Sequence, residues 1–143
     1  MKTEYTPEDL ACMTAEEFEL CREAGHEFRR NLTHAVMVML AVPESWDMNG
    51  EYAGEYGGLF PVQVRFAPGH GRFRFALCSP GEISDHWLLL LISADGRSVT
   101  CVRDCPQFAP EMFSAALRLA ATLDNEGYNL CYILAMLTGE GAV

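Results

Sequence analysis

VQVRFAPGHGRFRFAL, residues 62–77, decides the fold. Val62, Val64 and Phe66 alternate with Gln63 and Arg65, the period of two that a half-buried strand requires. APGHGR, 67–72, is rich in turn residues, and the returning run sets Phe73, Phe75 and Leu77 against Arg72, Arg74 and Ala76. The expectation is a hairpin with one apolar face and two or three arginines sharing its outer face, where like charges need an answering group. SPGEISD then leads into HWLLLLIS, 86–93, whose unbroken apolar run suits a central strand covered on both faces, or on one face and by a partner. Asp95-Gly96 makes a tight turn into a fourth strand, Arg97 to about Arg103, with Val99 and Cys101 on one side. The pattern is a four-stranded antiparallel meander.

Helices are expected on either side of it. Thr6, Pro7, Glu8 and Asp9 combine an N-cap, a proline at the first helical position and two carboxylates on the positive end of a helix. Thr14 and Glu17 repeat the signal as a capping box leading into AEEFELCREAG. Phe28, Leu32, Ala35, Val36 and Met39 form the stripe of a further helix that must end by Pro43. After the sheet, Pro110 opens a helix with Phe113, Ala116, Leu117, Ala120 and Leu123 on one face, stopped near DNEG. Leu130, Ile133, Leu134 and Leu137 make a last helix, closed by Gly139. Helices, strands, then helices reads as α+β, with the helices packed on the sheet and one domain over residues 1–143.

Ahead of the first strand, NGEYAGEYGG, 49–58, fits neither a helix nor a solvated linker. Each glycine costs roughly 1 kcal/mol in a helix, and the tyrosines want burial or a partner. Trp46, Tyr52, Tyr56 and Phe60 lie among Glu44, Asp47, Glu51 and Glu55, so the tract is a candidate recognition loop. Cover for one end of the sheet is the structural alternative. The formal charge of −10 is uneven: residues 1–58 hold twelve carboxylates against Lys2, Arg22, Arg29 and Arg30, whereas 59–81 hold Arg65, Arg72 and Arg74 and no carboxylate. With a single lysine, the chain lacks the clustered cations that neutralise phosphate, so direct nucleic-acid binding is the wrong class. A basic protein partner suits the charge.

Reaction machinery is absent from the sequence. No Walker-type loop, Gly-x-Ser-x-Gly elbow or His-Glu-x-x-His occurs, and Gly50, Gly54, Gly57 and Gly58 precede a strand instead of the helix N-terminus a phosphate would use. His26, His34, His70 and His86 show no ligand spacing, and Cys101-x-x-x-Cys105 lacks a second pair, so no metal or cofactor is expected. Cys12, Cys21, Cys78, Cys101, Cys105 and Cys131 read as buried thiols. Cys78 or Cys105 with His86 leaves a small thiol hydrolase as one rival function. No apolar run reaches the roughly 18–20 residues of a membrane span, and Glu4, Glu8 and Asp9 make the N-terminus too acidic for a signal peptide, so a cytoplasmic protein is expected.

NLTHAVM at 31–37, MNGEYAGEYGG at 48–58, FPVQVRF at 60–66, ALCSPG at 76–81 and LDNEGY at 123–128 resemble segments of the PsiB family, plasmid SOS-inhibition proteins of conjugative plasmids. The likeness runs over nearly the whole chain. It implies a non-enzymatic inhibitor that binds DNA-free RecA, hinders nucleation of the RecA filament on single-stranded DNA and so suppresses LexA autocleavage. The resemblance carries no catalytic residues. Residue chemistry supplies a docking expectation: the acidic face Glu16, Glu17, Glu19, Glu23 and Glu27, with Trp46, Glu51, Tyr52, Glu55 and Tyr56 of the loop, meets a basic surface of the partner. The charge alone would also suit an acidic DNA mimic that inhibits another DNA-binding enzyme, and the oligomeric state is open.

Overall fold

The computed structural model describes residues 6–14, 16–17, 35–36, 38–41, 47–48, 63–67, 72–80 and 85–139. Its frame is an antiparallel sheet in the order β1 (Asp47–Met48), β2 (Gln63–Ala67), β3 (Phe73–Cys78), β4 (Trp87–Ser93) and β5 (Val99–Cys105), each strand beside its sequence neighbour. The helices are α1 (Pro7–Cys12), α2 (Pro110–Asn125) and α3 (Leu130–Thr138), with further helical backbone at 16–17, 35–36 and 38–40. The class is α+β. The expected count of four strands is corrected to five: two residues, Asp47 and Met48, pair with Ala67 and Phe66 and extend the sheet beyond β2. So short a strand carries too little alternation to be seen in sequence.

Local signals place the helix ends. At α1 the Thr6 N–H donates to Asp9 Oδ2 at 2.9 Å and the Asp9 N–H to Thr6 Oγ1 at 3.1 Å, a reciprocal cap that leaves Leu10 pointing into the core. Pro110 opens α2, where its missing N–H costs nothing, and Gly127 at φ 91° turns the chain beyond its end. Asn129 caps α3 by accepting from the Tyr132 N–H, and Gly139 closes it in the left-handed conformation. Ala41 ends the helical stretch at 38–40 with φ 49°, two residues before Pro43.

Phe73, Phe75 and Leu77 of β3 lie on the same sheet face as Trp87, Leu89 and Leu91 of β4, because Phe75 is paired with Leu91 and Leu77 with Leu89. Against that face pack Leu10, Val36, Leu40 and the α2 stripe Phe113, Ala116, Leu117, Ala120 and Leu123, with Ile133 and Leu137 of α3. Trp87, Phe108 and Phe113 link sheet to helix as a chain of rings with centroids 4.8 and 5.9 Å apart. The Ser114 hydroxyl donates to the Leu40 carbonyl at 2.9 Å, tying α2 to the 38–40 helical turn.

The opposite face departs from the expected outer surface. Ala76, Cys78, Leu90 and Ile92 are buried there as a second cluster, with Leu88 packed against it. Arg74, on the same strand as Ala76, is only half-buried. Arg72 is not part of that face at all; it precedes β3 and reaches toward α2.

In β5, Val99 and Cys101 do share a side, opposite Ile92 and Leu90, but both are exposed. The buried residues are Val102 and Cys105. Leu90 is paired with Cys101 but Leu89 with Arg103, so Val102 is an extra residue that swaps the faces of the strand. The expectation of buried thiols is corrected in the same way: Cys78 and Cys105 are buried, whereas Cys12, Cys101 and Cys131 are exposed, and Cys21 lies outside the described residues.

Candidate interaction surface

Glu16 and Glu17 are exposed, as the acidic-face expectation requires, but Glu17 also serves its own helix start. Its Oε1 accepts from the Thr14 N–H at 3.4 Å and the Thr14 hydroxyl at 3.3 Å, while the Glu17 N–H donates to Thr14 Oγ1 at 3.2 Å. Glu19, Glu23 and Glu27, with Trp46, Glu51, Tyr52, Glu55 and Tyr56, lie outside the described residues. What the sheet does fix is where the aromatic tract is tethered. Met48 before it and Gln63 after it belong to adjacent antiparallel strands, and residues 49–62 lie outside the described residues.

The most developed polar cluster joins the turn before β3 to the α2–α3 corner. Arg72 Nε donates to Asp124 Oδ1 at 2.5 Å, and Nη2 donates to the carbonyls of Asp124 and Tyr128, both at 3.1 Å. Nη2 also forms an ion pair with Asp124 Oδ1. The Asp124 side chain is 1% exposed and that of Arg72 44%, so a carboxylate in the interior is answered by a cation reaching in from the rim. The Asp124 carbonyl is one that a helix end leaves without an intrahelical donor, and the Tyr128 carbonyl belongs to the loop that follows. Arg72 therefore closes the end of α2 and holds the loop to α3.

That loop presents Tyr128, whose ring stacks on Tyr132 with centroids 4.4 Å apart and planes 18° from parallel. Both rings are 41% exposed. Around them α3 carries no charged residue, and Cys131 is exposed beside Tyr132. Sequence reasoning missed this pair, although the i, i+4 spacing of 128 and 132 across a capping Asn was a usable signal. The Arg72–Asp124 contact left none, since the partners are 52 positions apart.

At the other end of the sheet, His86 Nδ1 lies 2.6 Å from Asp104 Oδ1, with both side chains about half exposed. A His–Asp pair can orient a general base, so the neighbouring thiols matter. Burial pushes the Cys105 thiol up from its ordinary value and the Asp104 charge pushes it further; Cys101 is raised for the same two reasons. Both are held in the protonated, weakly nucleophilic form at neutral pH. Cys105 Sγ contacts Met112 Sδ at 3.9 Å at the margin of the core, and Cys78 belongs to the cluster on the opposite sheet face. Among the described residues no group of three or more His, Cys, Asp or Glu is placed to hold a metal ion, and no helix is long and apolar enough to cross a membrane.

The described surface is thus one of exposed aromatics and carboxylates on a rigid frame. The sequence matches the family described as plasmid SOS inhibition protein (PsiB) over residues 4–141, nearly its whole length. The chain belongs to the PsiB family. Its association with plasmid SOS inhibition follows from that membership, and the match takes in every element of the sheet and all three helices.

Proposed function

We propose that the chain is a non-enzymatic inhibitor that binds DNA-free RecA in the cytoplasm and hinders nucleation of the RecA filament on single-stranded DNA. LexA autocleavage is thereby suppressed when plasmid strands enter a recipient during conjugation. The observation that carries this reading is the family match over residues 4–141. The charge supports it: a net −10 with a single lysine disfavours phosphate and favours encounter with a basic protein surface. In this reading Glu16, Glu17, Glu19, Glu23 and Glu27 steer the approach, and Trp46, Glu51, Tyr52, Glu55 and Tyr56 set the residence time.

The test is the order of addition in a RecA filament-assembly assay on single-stranded DNA. Protein mixed with RecA before the DNA lengthens the nucleation lag, whereas the same amount added to finished filaments has little effect. Equal effects in both orders, or none, defeat the reading. Competition by excess duplex DNA would instead identify a DNA mimic. Reversing the charges of Glu16, Glu19 and Glu23 slows association and weakens its salt dependence if this face steers the encounter.

A further inference from the structure

The start of α3 is fixed without its aromatic rings. Asn129 Oδ1 accepts from the Tyr132 N–H at 2.9 Å, and Ile133 and Leu137 anchor the helix in the core. The loop before it is fixed by Arg72, through the Tyr128 carbonyl instead of its ring. The stacked rings of Tyr128 and Tyr132 are nonetheless held rigid and left 41% exposed each. Aromatic side chains on a backbone held from both sides lose little conformational freedom on binding, which is the property of an interface hot spot.

The charges nearby select the occupant. Arg72 and Asp124 cancel one another. Glu126 remains, exposed, at the carbonyl end of α2, where Arg72 and the backbone N–H groups of residues 126–128 already meet the last carbonyls, so the negative charge left here is its carboxylate. Arg118, the nearest other cation on α2, is seven residues before Asn125, about 10 Å along the axis. The partial positive end of α3 is met by its Asn129 cap. A second copy of this chain would bring another −10, and a nucleic acid would bring phosphate. A planar guanidinium suits both features at once: it stacks flat on a tyrosine face and offers a fork of donors to a carboxylate, whereas an ammonium, a compact point charge, covers less of the ring.

We propose that the Tyr128–Tyr132 stack, with the exposed Glu126 two residues before Tyr128, docks an arginine side chain on a basic segment of a protein partner. This rests on the reading that the chain inhibits by binding a protein, and adds to it contact residues other than the acidic N-terminal ones and those of 50–58.

Two measurements test it. In the first, the ring proton signals of Tyr128 and Tyr132 are followed in the intact protein as tetra-arginine or tetra-lysine peptide is added. The expected result is larger shifts and several-fold tighter binding for the arginine peptide; equal responses overturn the proposal. In the second, DNA-free RecA is titrated against the protein and against Tyr128→Leu/Tyr132→Leu, which keeps apolar area and removes the π faces, with circular dichroism and thermal midpoint as the folding control. The expected loss is about tenfold, in line with a cation–π contact of ~1–2 kcal/mol. If the unsubstituted protein binds RecA and the leucine variant binds within twofold, the docking site is refuted while the RecA reading stands. If the unsubstituted protein does not bind RecA, that reading falls, and the peptide comparison alone decides the docking site. A leucine variant that fails to fold likewise leaves the decision to the peptides.

Discussion

Replacing Arg72 by alanine removes the only described cation that answers the Asp124 carboxylate, which is 1% exposed. Three donated hydrogen bonds go with it, one to the carboxylate, one to the Asp124 carbonyl at the end of α2 and one to the Tyr128 carbonyl in the loop beyond. Breaking a fully buried ion pair from one side costs about 3–5 kcal/mol, because the remaining charge is stranded. Arg72 is itself 44% exposed, so water can reach part of the vacated volume, and the expected cost falls to about 2–3 kcal/mol. With a urea slope of about 2 kcal/mol/M, that moves the unfolding midpoint down by about 1–1.5 M. Trp87, buried in the core, provides a fluorescence readout. The discriminating measurement is the double variant Arg72→Ala/Asp124→Ala, which strands no charge. It should be less destabilised than the sum of the two single variants by at least 1 kcal/mol. Arg72→Lys should recover only part of the loss, since an ammonium cannot serve the carboxylate and both carbonyls in the same fork. A loss below 0.5 kcal/mol for Arg72→Ala, or simple additivity in the cycle, would refute the reasoning.

Three further outcomes follow from the geometry. Gly127 sits at φ 91° with open space where a Cβ would be, so Gly127→Ala costs about 1–2 kcal/mol through backbone strain alone, measurable by the same urea titration, and a neutral result would contradict it. The Asp95 carboxyl accepts from the Ser93 hydroxyl at 2.6 Å and the Arg97 N–H at 3.0 Å, which hold it below its ordinary value. Because the folded value is the lower one, the contribution of this turn is present above about pH 4 and is lost as the pH falls through the folded value. An NMR titration should find Asp95 below a model peptide, and Asp95→Asn should flatten this part of the acid limb. In the native protein iodoacetamide at pH 7.5 should modify exposed Cys12 and Cys131 first, Cys101 more slowly, and Cys78 and Cys105 only on unfolding; rapid labelling of Cys105 would revive a thiol nucleophile.

The parts of this fold that could be read from the chain are those set by local rules. The α2 stripe Phe113, Ala116, Leu117, Ala120 and Leu123 is buried at every position, because one helix against one sheet leaves a single way to bury it. Thr6 with Asp9, Pro110, Asp95-Gly96 and Gly139 mark their boundaries through hydrogen bonds and dihedrals that depend on near neighbours alone. What could not be read depends on distant partners. The extra residue at Val102 exists only relative to Leu89 and Leu90, and nothing in VTCVRDC announces which face each side chain takes. Arg72 looked like one of a row on a hairpin because Asp124, which claims it, is 52 residues away. Ala76 and Cys78 alternate with Phe75 and Leu77 as an outer face would, yet are buried, since small side chains carry little information about what lies over them. Of the expected docking residues, Glu16 and Glu17 are exposed as read, whereas the aromatic pair that is visible, Tyr128 and Tyr132, sits in a segment whose sequence reads as a helix boundary.

The irregularity in β5 has a consequence beyond the direction of its side chains. Among the described residues β5 has β4 alone as a neighbouring strand, so its other margin is where a foreign strand could pair. Val102 interrupts the strand's backbone repeat after three residues, and Arg103 and Asp104 follow at once, with Arg103 Nη1 tied by 2.5 and 2.6 Å bonds to the carbonyls of Leu137 and Val102. A strand broken in this way is a poor template for end-to-end growth. This margin of the sheet thus disfavours pairing with a strand from a second copy of the chain.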